Sequence, residues 1–505
     1  MTITANPTEG QKVATFESLN PANGDVVGIH PVQTAAEVEA AVERAREASK
    51  WWGALTFEER EDYLAKWNAV ITRRMAQLGE VSHQETGKPY GDAQLEIVLA
   101  IDHVAWASKN AKKILGPHRV NPGLLMANQA ATLEYHPLGV IGVIGPWNYP
   151  VFTPMGSIAY ALAAGNAVVF KPSEYTPAVG HWLANSFAEV VPNPDVFQVV
   201  TGLGETGAAL AKSAVDKVAF TGSGPTGKKV MMAAAERLTP VIIEAGGKDA
   251  LIVDEDADLK AAADAALWGS MSNAGQTCIG VERVYVHEKV FDSFVAEVTE
   301  QAKGLRAAGD SEAQLGPITM PSQLKIIQRH IDDAIAKGAT VVLGGSDAVG
   351  ERFVQPTILT HVPEDSTAIT EETFGPTMTI NPVRDMDEAI RLTNATTYGL
   401  AGTVYAKKNG VDIARRIRSG MTSVNAVLAF AGVPGLPFGG VGQSGFGRIH
   451  GADGLKEFTY AKAITRQRMK PVMLLTSFSR DSKTENRVTK VMTMLYGGKG
   501  TLPKK

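Results

Sequence analysis

Residues 138–145, Leu138-Gly139-Val140-Ile141-Gly142-Val143-Ile144-Gly145, form a short apolar run rich in β-branched side chains. Such a run, too short for a helix and without polar alternation, predicts a strand buried on both faces. Working outward, similar runs recur at 167–171, 196–201, 217–221 and 240–244. The stretches between them open on Gly, Pro or Thr and are long enough for crossover helices. Repeated strand–helix–strand units predict a parallel α/β sheet with right-handed crossovers. Ligands of such sheets bind beyond the carboxyl ends of the strands. A second alternating region begins near Lys248, with strands expected at 250–253, 283–286 and 340–343.

Upstream, Thr34-Ala35-Ala36-Glu37 and Thr56-Phe57-Glu58-Glu59 are capping boxes in which hydroxyl and carboxylate satisfy free backbone N–H groups. Val38, Ala41, Val42 and Ala45 follow the first at helical spacing, and Tyr63, Leu64, Trp67, Val70 and Ile71 follow the second. These helices read as a packing layer.

The 505 residues exceed one hydrophobic core and imply several domains. A net charge of −4 gives no electrostatic case for nucleic acid. Cys278 is the only cysteine, so no intrachain disulfide forms and a reducing, cytoplasmic setting is expected. The amino terminus has no secretory signal, and no run approaches the about 20 apolar residues of a membrane span. No metal site is assigned.

Two segments match G-x-G-x-x-G, Gly202–Gly207 and Gly222–Gly227, each between an expected strand and an expected helix. Glycine lets a phosphate approach the backbone, and the helix start offers N–H donors. A plain strand-to-helix turn explains either match equally well. Lys171-Pro172-Ser173-Glu174 ends a strand and reads either as a ribose-binding pair or as a solvated loop. Cys278, taken alone, reads as a small buried side chain, since only a thiolate with a lowered pKa reacts well. Glu244 ends a strand downstream of Gly227 and suits a ribose-binding acid. Asn148 suits a structural place in a tight turn, and Glu372 stands in an acidic loop.

Seven motifs in order decide among these readings. GPWNYP at 145–150, KPSE at 171–174, FTGS at 220–223, EAGGK at 244–248, GQTC at 275–278, EETFGP at 371–376 and PFGG at 437–440 resemble those of the aldehyde dehydrogenase superfamily, over roughly residues 15–470. The resemblance implies a Rossmann-like cofactor domain (1–119 and 138–246), an α/β catalytic domain (247–446), oligomerisation strands (120–137 and 455–469) and a tail (470–505). It implies that Cys278 attacks the aldehyde, Asn148 binds the oxyanion and Glu244 activates the deacylating water. It implies NAD as cofactor, with NADP also accommodated. Lys171 and Glu174 would meet the adenosine ribose, Ser223 the pyrophosphate, and Trp147 and Gly204 the adenine side. Glu372 would hold the nicotinamide ribose and Phe374 the nicotinamide. Pro146, Ser173, Gly222, Gly227, Ala245 and Gly246 complete the cofactor set. Ala245 departs from the family's usual leucine. A homo-oligomer, dimer or tetramer, is implied as well.

The channel positions implied are Tyr149, Thr153, Gly156, Ser272, Thr277, Ile279, Leu428 and Phe430, none of them charged. Gly156 stands where many relatives are bulky, so a roomy pocket for apolar aldehydes is expected. Succinic semialdehyde is the runner-up substrate, through a further resemblance to actinobacterial enzymes. Transfer of the acyl group to coenzyme A is a third reading, against which Glu244 argues, and a retired enzyme fold is a fourth. In the tail, Val488, Val491, Met492 and Leu495 recur at helical spacing beside Arg487 and Lys490, with Lys499, Lys504 and Lys505 beyond. The pattern predicts a short amphipathic helix, packed on protein or resting weakly on a membrane surface.

Overall fold

The run at 138–145 becomes the strand Val140–Ile144, buried along four of its five residues. It lies inside a six-stranded sheet with the order Gly445–Phe446, Val241–Ala245, Lys217–Gly222, Val140–Ile144, Ala167–Lys171 and Phe197–Val199. All neighbours are parallel except the short edge strand Gly445–Phe446. The chain steps from Val140–Ile144 to one side through 167–171 and 197–199, then crosses to the other side at 217–222. That reversal opens a crevice at the carboxyl ends of the two adjoining strands. Residues 145–150 and 222–227 both emerge there. The structure, a computed structural model, describes residues 14–471 and 476–498.

Both faces of this sheet are covered. Val38, Ala41, Val42 and Ala45 of the capped helix Ala35–Ala54 pack with Val140, Val169, Val218 and Leu210 in one apolar cluster. The helix Phe152–Ala164, buried at every position, packs against Tyr90–Leu115 and the strand Ala167–Lys171. Both capping boxes form as the sequence predicts.

The second sheet has seven strands, ordered Thr340–Leu343, Thr357–Thr360, Thr377–Val383, Val281–His287, Asp249–Val253, Gly402–Tyr405 and Ser423–Val424. It is parallel apart from its first pair. Only Gly246, Gly247 and Lys248 separate its strand Asp249–Val253 from the last long strand of the first sheet. The sequence reading places five of the first sheet's six strands within two residues and does not foresee the edge strand Gly445–Phe446. The fit is poorest at 196–201, where only Phe197–Val199 is strand. There Thr201 turns its amide to Gln33 Oε1 and its hydroxyl to the Pro31 carbonyl.

The described residues divide into two compact units, 14–115 with 137–460, and 116–136 with 461–471 and 476–498. The smaller unit carries a three-stranded sheet ordered Thr459–Gln467, Gln129–Pro137 and His118–Val120. The tail forms the helix Ser482–Tyr496, capped by Asp481 and without a buried residue. Lys499, Lys504 and Lys505 lie outside the described residues.

Arg283 ties the junction of the sheets together. Its side chain, 2% exposed, donates twice to the Lys248 carbonyl (2.9 and 2.7 Å) and once each to those of Leu392 and Thr393 (3.1 and 3.0 Å). Arg283→Leu leaves these carbonyls unpaired, so equilibrium denaturant unfolding should show a loss of about 3 kcal/mol. A loss below about 0.5 kcal/mol would mean that water or a rearranged neighbour replaces the guanidinium.

Candidate active site

Cys278 follows a tight turn at the amino end of the second sheet. Asn273 and Ala274 adopt left-handed backbone (φ +51° and +53°), and Gly275 continues the turn at φ +71°. A Cβ on Gly275 would stand 2.0 Å from the Gly375 carbonyl oxygen, so the turn seats directly on the 371–376 loop. From the other side, Gly247 admits the Cys278 carbonyl, which would lie 2.9 Å from a Cβ there.

Glu244 ends the strand Val241–Ala245 and is 3% exposed. Neither of its carboxylate oxygens has a hydrogen-bond partner among the described residues. Burial pushes its acidity up to about 7, and the Cys278 thiol and Thr221 beside it pull only partly back. The Cys278 thiol is pushed well above its ordinary range, by burial first and then by Glu244, Glu372 and Asp249. Glu372 is raised to about 8 by burial and by Glu282, while the Gly247 amide, 3.1 Å from its Oε1, works the other way. The Glu372 carboxylate also fills the place of any side chain at Gly246, where a Cβ would come within 1.9 Å of it. Thus the structure gathers Cys278, Glu244, Gly246 and Glu372 at one point, with the proton on sulfur in this geometry.

Asn148 approaches the same turn. Its Nδ2 donates to the Gln276 carbonyl (2.9 Å), and its own carbonyl accepts from Asn273 Nδ2 (3.0 Å). Tyr149 and Thr277 join through their hydroxyls at 3.0 Å. Phe374 (φ +52°) meets the Trp147 indole edge-on, with ring centroids 5.6 Å apart. Lys248 pairs with Glu282 in the interior. Burial alone would raise Glu282, but Lys248 and the amides of Thr373 and Phe374 hold it below the usual range, fixing the 371–376 loop.

The residues expected to meet a dinucleotide line the crevice of the first sheet. Pro146 and Trp147 follow Val140–Ile144. Gly222 and Ser223 follow the strand Lys217–Gly222 and open the helix Gly224–Ala235, where Ser223 Oγ accepts the Thr226 amide (3.4 Å). Lys171 Nζ lies 3.6 Å from Glu174 Oε2, and Ser173 Oγ donates to the same oxygen (3.2 Å). Burial lowers Lys171, and Glu174 partly restores it. The two glycine loops differ. Gly202 is demanded by packing, since a Cβ there would meet Thr206 Oγ1 at 2.0 Å, and Gly227 lies close to Ile243. At Gly204 and Gly224 a Cβ would have nothing within 4 Å, which leaves both helix starts open to a ligand. Glu174 also lines a cavity of about 570 Å³ with Tyr175, Leu203, Phe16, Ile318 and Leu324. None of Cys278, Glu244 or Asn148 borders it. These open amides, the cation–carboxylate pair and the half-buried Glu174 fit a dinucleotide.

Gly156 does not enlarge a pocket as the sequence reading expects. A Cβ there would stand 2.4 Å from His450 Nε2, so the imidazole already occupies the space. His450 is 1% exposed and its ring lies tilted against that of His103, with centroids 3.9 Å apart. Its Nε2 has no partner among the described residues, and burial holds the ring neutral, far below an ordinary imidazole. The sequence gives no periodic signal that could pair positions 294 residues apart (450 − 156).

A doubly wound sheet whose switch point meets a thiol on a second sheet defines a nucleotide-dependent oxidoreductase class. The chain belongs to the aldehyde dehydrogenase family, whose model matches residues 8–464. It is an NAD(P)-dependent enzyme that oxidises aldehydes. It is 39% identical over 447 residues to a putative NADP(+) succinate-semialdehyde dehydrogenase of Mycolicibacterium smegmatis, covering 87% of this chain and 86% of that one. It is 37% identical over 478 residues to a 4,4'-diapolycopene aldehyde oxidase of Methylomonas sp, covering 94% and 88%. The fold superposes on an NAD-dependent aldehyde dehydrogenase from Sinorhizobium meliloti with a TM-score of 0.87 at 32% identity, over 92% and 93% of the two chains.

Gly275→Ala combines a left-handed backbone with a clash against main chain, for which no side-chain movement compensates. Thermal unfolding should register a loss above about 1 kcal/mol, with activity falling in parallel. Wild-type stability and turnover in this variant would show that the turn and the 371–376 loop are not locked together.

Proposed function

We propose that Cys278 is the nucleophile, Glu244 the general base and Asn148 an oxyanion donor, and that the substrate is an apolar aldehyde. The observation that carries the reading is the buried Glu244 carboxylate, without a hydrogen-bond partner among the described residues, beside the only thiol of the chain. A carboxylate left unsatisfied in the interior is costly unless it has a proton to take. The Cys278 thiol gives up its proton to solvent water, and the sulfur adds to the carbonyl carbon. The carbonyl electrons move to oxygen, where the Asn148 amide and the Cys278 backbone N–H meet the charge. A nicotinamide bound in the crevice supplies the acceptor for the hydride of the aldehyde carbon. Glu244 then takes a proton from water, the hydroxide adds to the Cys278 thioester, and the thiolate leaves as the acid forms. Lys171, Ser173 and Glu174 would hold the adenosine end, and Ser223 with the helix start at Gly224 the pyrophosphate. Glu174 as a ribose acceptor favours NAD over NADP, because a 2′-phosphate would meet a like charge.

Glu244→Gln should give one burst of NADH per active site and then stall, whereas Cys278→Ala should give none. With Glu244 near 7, its basic form grows as pH rises, so steady-state kcat should climb through about pH 7 and level above it. Unchanged turnover by Glu244→Gln, or a pH-independent kcat when deacylation limits, would assign the base elsewhere.

The apolar reading of the substrate rests on the uncharged positions Tyr149, Thr153, Ser272, Thr277, Ile279, Leu428 and Phe430. Lys88, the buried cation behind Tyr149, is committed to Glu96 and to the Asn148 carbonyl, so it does not meet a substrate carboxylate. The names of the mycobacterial relatives favour succinic semialdehyde as the second reading. Thr153 and Gly156 fall on one face of the helix Phe152–Ala164, which makes His450 over Gly156 the limit of the acyl chain. In kcat/KM, hexanal and benzaldehyde should exceed succinic semialdehyde, and His450→Ala should move the optimum of an alkanal series to longer chains. A preference of about tenfold or more for succinic semialdehyde would reverse the assignment.

A further inference from the structure

Lys88 stands immediately after Gly87, the left-handed residue (φ +69°) that ends the helix Met75–Thr86. Its side chain is wholly buried. Nζ donates to the Asn148 carbonyl at 2.6 Å and to Glu96 Oε1 at 3.1 Å, and it lies 4.4 Å from the centre of the Tyr149 ring. Ser82 Oγ donates to the same Glu96 oxygen at 2.9 Å. The other oxygen, Oε2, accepts the amides of Val151 and Phe152 at 3.2 and 3.3 Å. These amides open the helix Phe152–Ala164, and no earlier turn of helix can satisfy them. One buried ion pair therefore grips the 148–152 turn at its carbonyl side through Lys88 and at its amide side through Glu96.

Burying two opposite charges costs several kcal/mol, and apolar side chains of similar volume often pack as well. What an apolar pair cannot do is fix the direction of a carbonyl. A charge-assisted bond to the Asn148 oxygen holds the peptide plane that follows this residue. That plane and Asn273 together set where the Asn148 side chain points. The ring of Tyr149, under the same ammonium, reaches Thr277 next to the thiol. We infer that Lys88 is a positioning residue of the reaction: through the Asn148 carbonyl it aims the Asn148 amide at the oxygen of the aldehyde bonded to Cys278. The inference rests on the reading of Asn148 as an oxyanion donor.

The test is a double-mutant cycle on the full-length enzyme, read as the rate of the NADH burst, with active sites counted by thiol titration. Asn148→Ala should slow the burst by about a hundredfold, the usual effect of losing one oxyanion donor. Lys88→Met, which keeps the length of the side chain, should slow it by about ten- to a hundredfold, with KM for NAD unchanged. In the Asn148→Ala background, Lys88→Met should add less than about threefold, because the two act through one group. Additive effects would overturn the inference and leave Lys88 a packing residue. A normal burst in Asn148→Ala would instead remove the oxyanion reading of Asn148, and the inference with it. Should Lys88→Met not fold with Glu96 left unpaired, the Lys88→Met/Glu96→Gln pair removes both charges and enters the same cycle. A wild-type burst rate in that folded pair would equally overturn the role of Lys88.

Discussion

Three residues, Gly246, Gly247 and Lys248, are all that separates the last long strand of one sheet from the first strand of the next. That short link is the constraint on which the rest of the structure depends. It brings the carboxyl end of the first sheet, where Glu244 sits, against the amino end of the second, where Cys278 precedes Val281–His287. Nothing bulkier than hydrogen is admitted at two of its positions, because Glu372 presses on Gly246 and the Cys278 carbonyl on Gly247. Its third residue is held from both ends, the Lys248 carbonyl by Arg283 and the ammonium by Glu282.

The electrostatic consequence is a crowded acid cluster. Glu244, Asp249 and Glu372 surround one thiol, and burial raises all three together with the cysteine. A buried group escapes the cost of ionisation by keeping its proton. The cations nearby relieve the cluster only in part, since Lys248, which also lowers Glu372, answers Glu282, and Lys88 answers Glu96. The site is thus balanced by protonation rather than by ion pairing, which leaves protons available to move between neighbouring groups. Glu282, though equally interior, takes the opposite course because Lys248 and two amides attend it. The contrast shows why one glutamate in this region suits structure and another suits proton transfer.

Local sequence carried much of the fold. Val/Ile runs such as 140–144 and 167–171 declare buried strands because aliphatic β-branched chains fit nothing else of that length. The strands at Thr377–Val383 and Thr357–Thr360 give no such signal, since threonine, asparagine and proline interrupt their apolar pattern. Two literal glycine fingerprints look alike in sequence, yet a Cβ on the last glycine of one, Gly207, would meet only Lys171 at 3.7 Å, whereas one on Gly227 would press on Ile243 at 3.1 Å. No property of the six letters separates them, because the difference lies in what approaches from elsewhere in the chain.

The sequence by itself determined the α/β class, the capped helices, the family and the motifs that carry Cys278, Glu244 and Asn148. These follow from short-range patterns, in which hydrophobic period, capping chemistry and motif order are all local. Only the tertiary structure decided that Glu244 has no hydrogen-bond partner among the described residues, that Glu372 rests on Gly246, and that His450 fills the space above Gly156. It alone decided that Lys88 reaches the Asn148 carbonyl across 60 residues of chain. Burial, proton affinity and free volume depend on every atom nearby, and those atoms come from segments whose meeting no local pattern records.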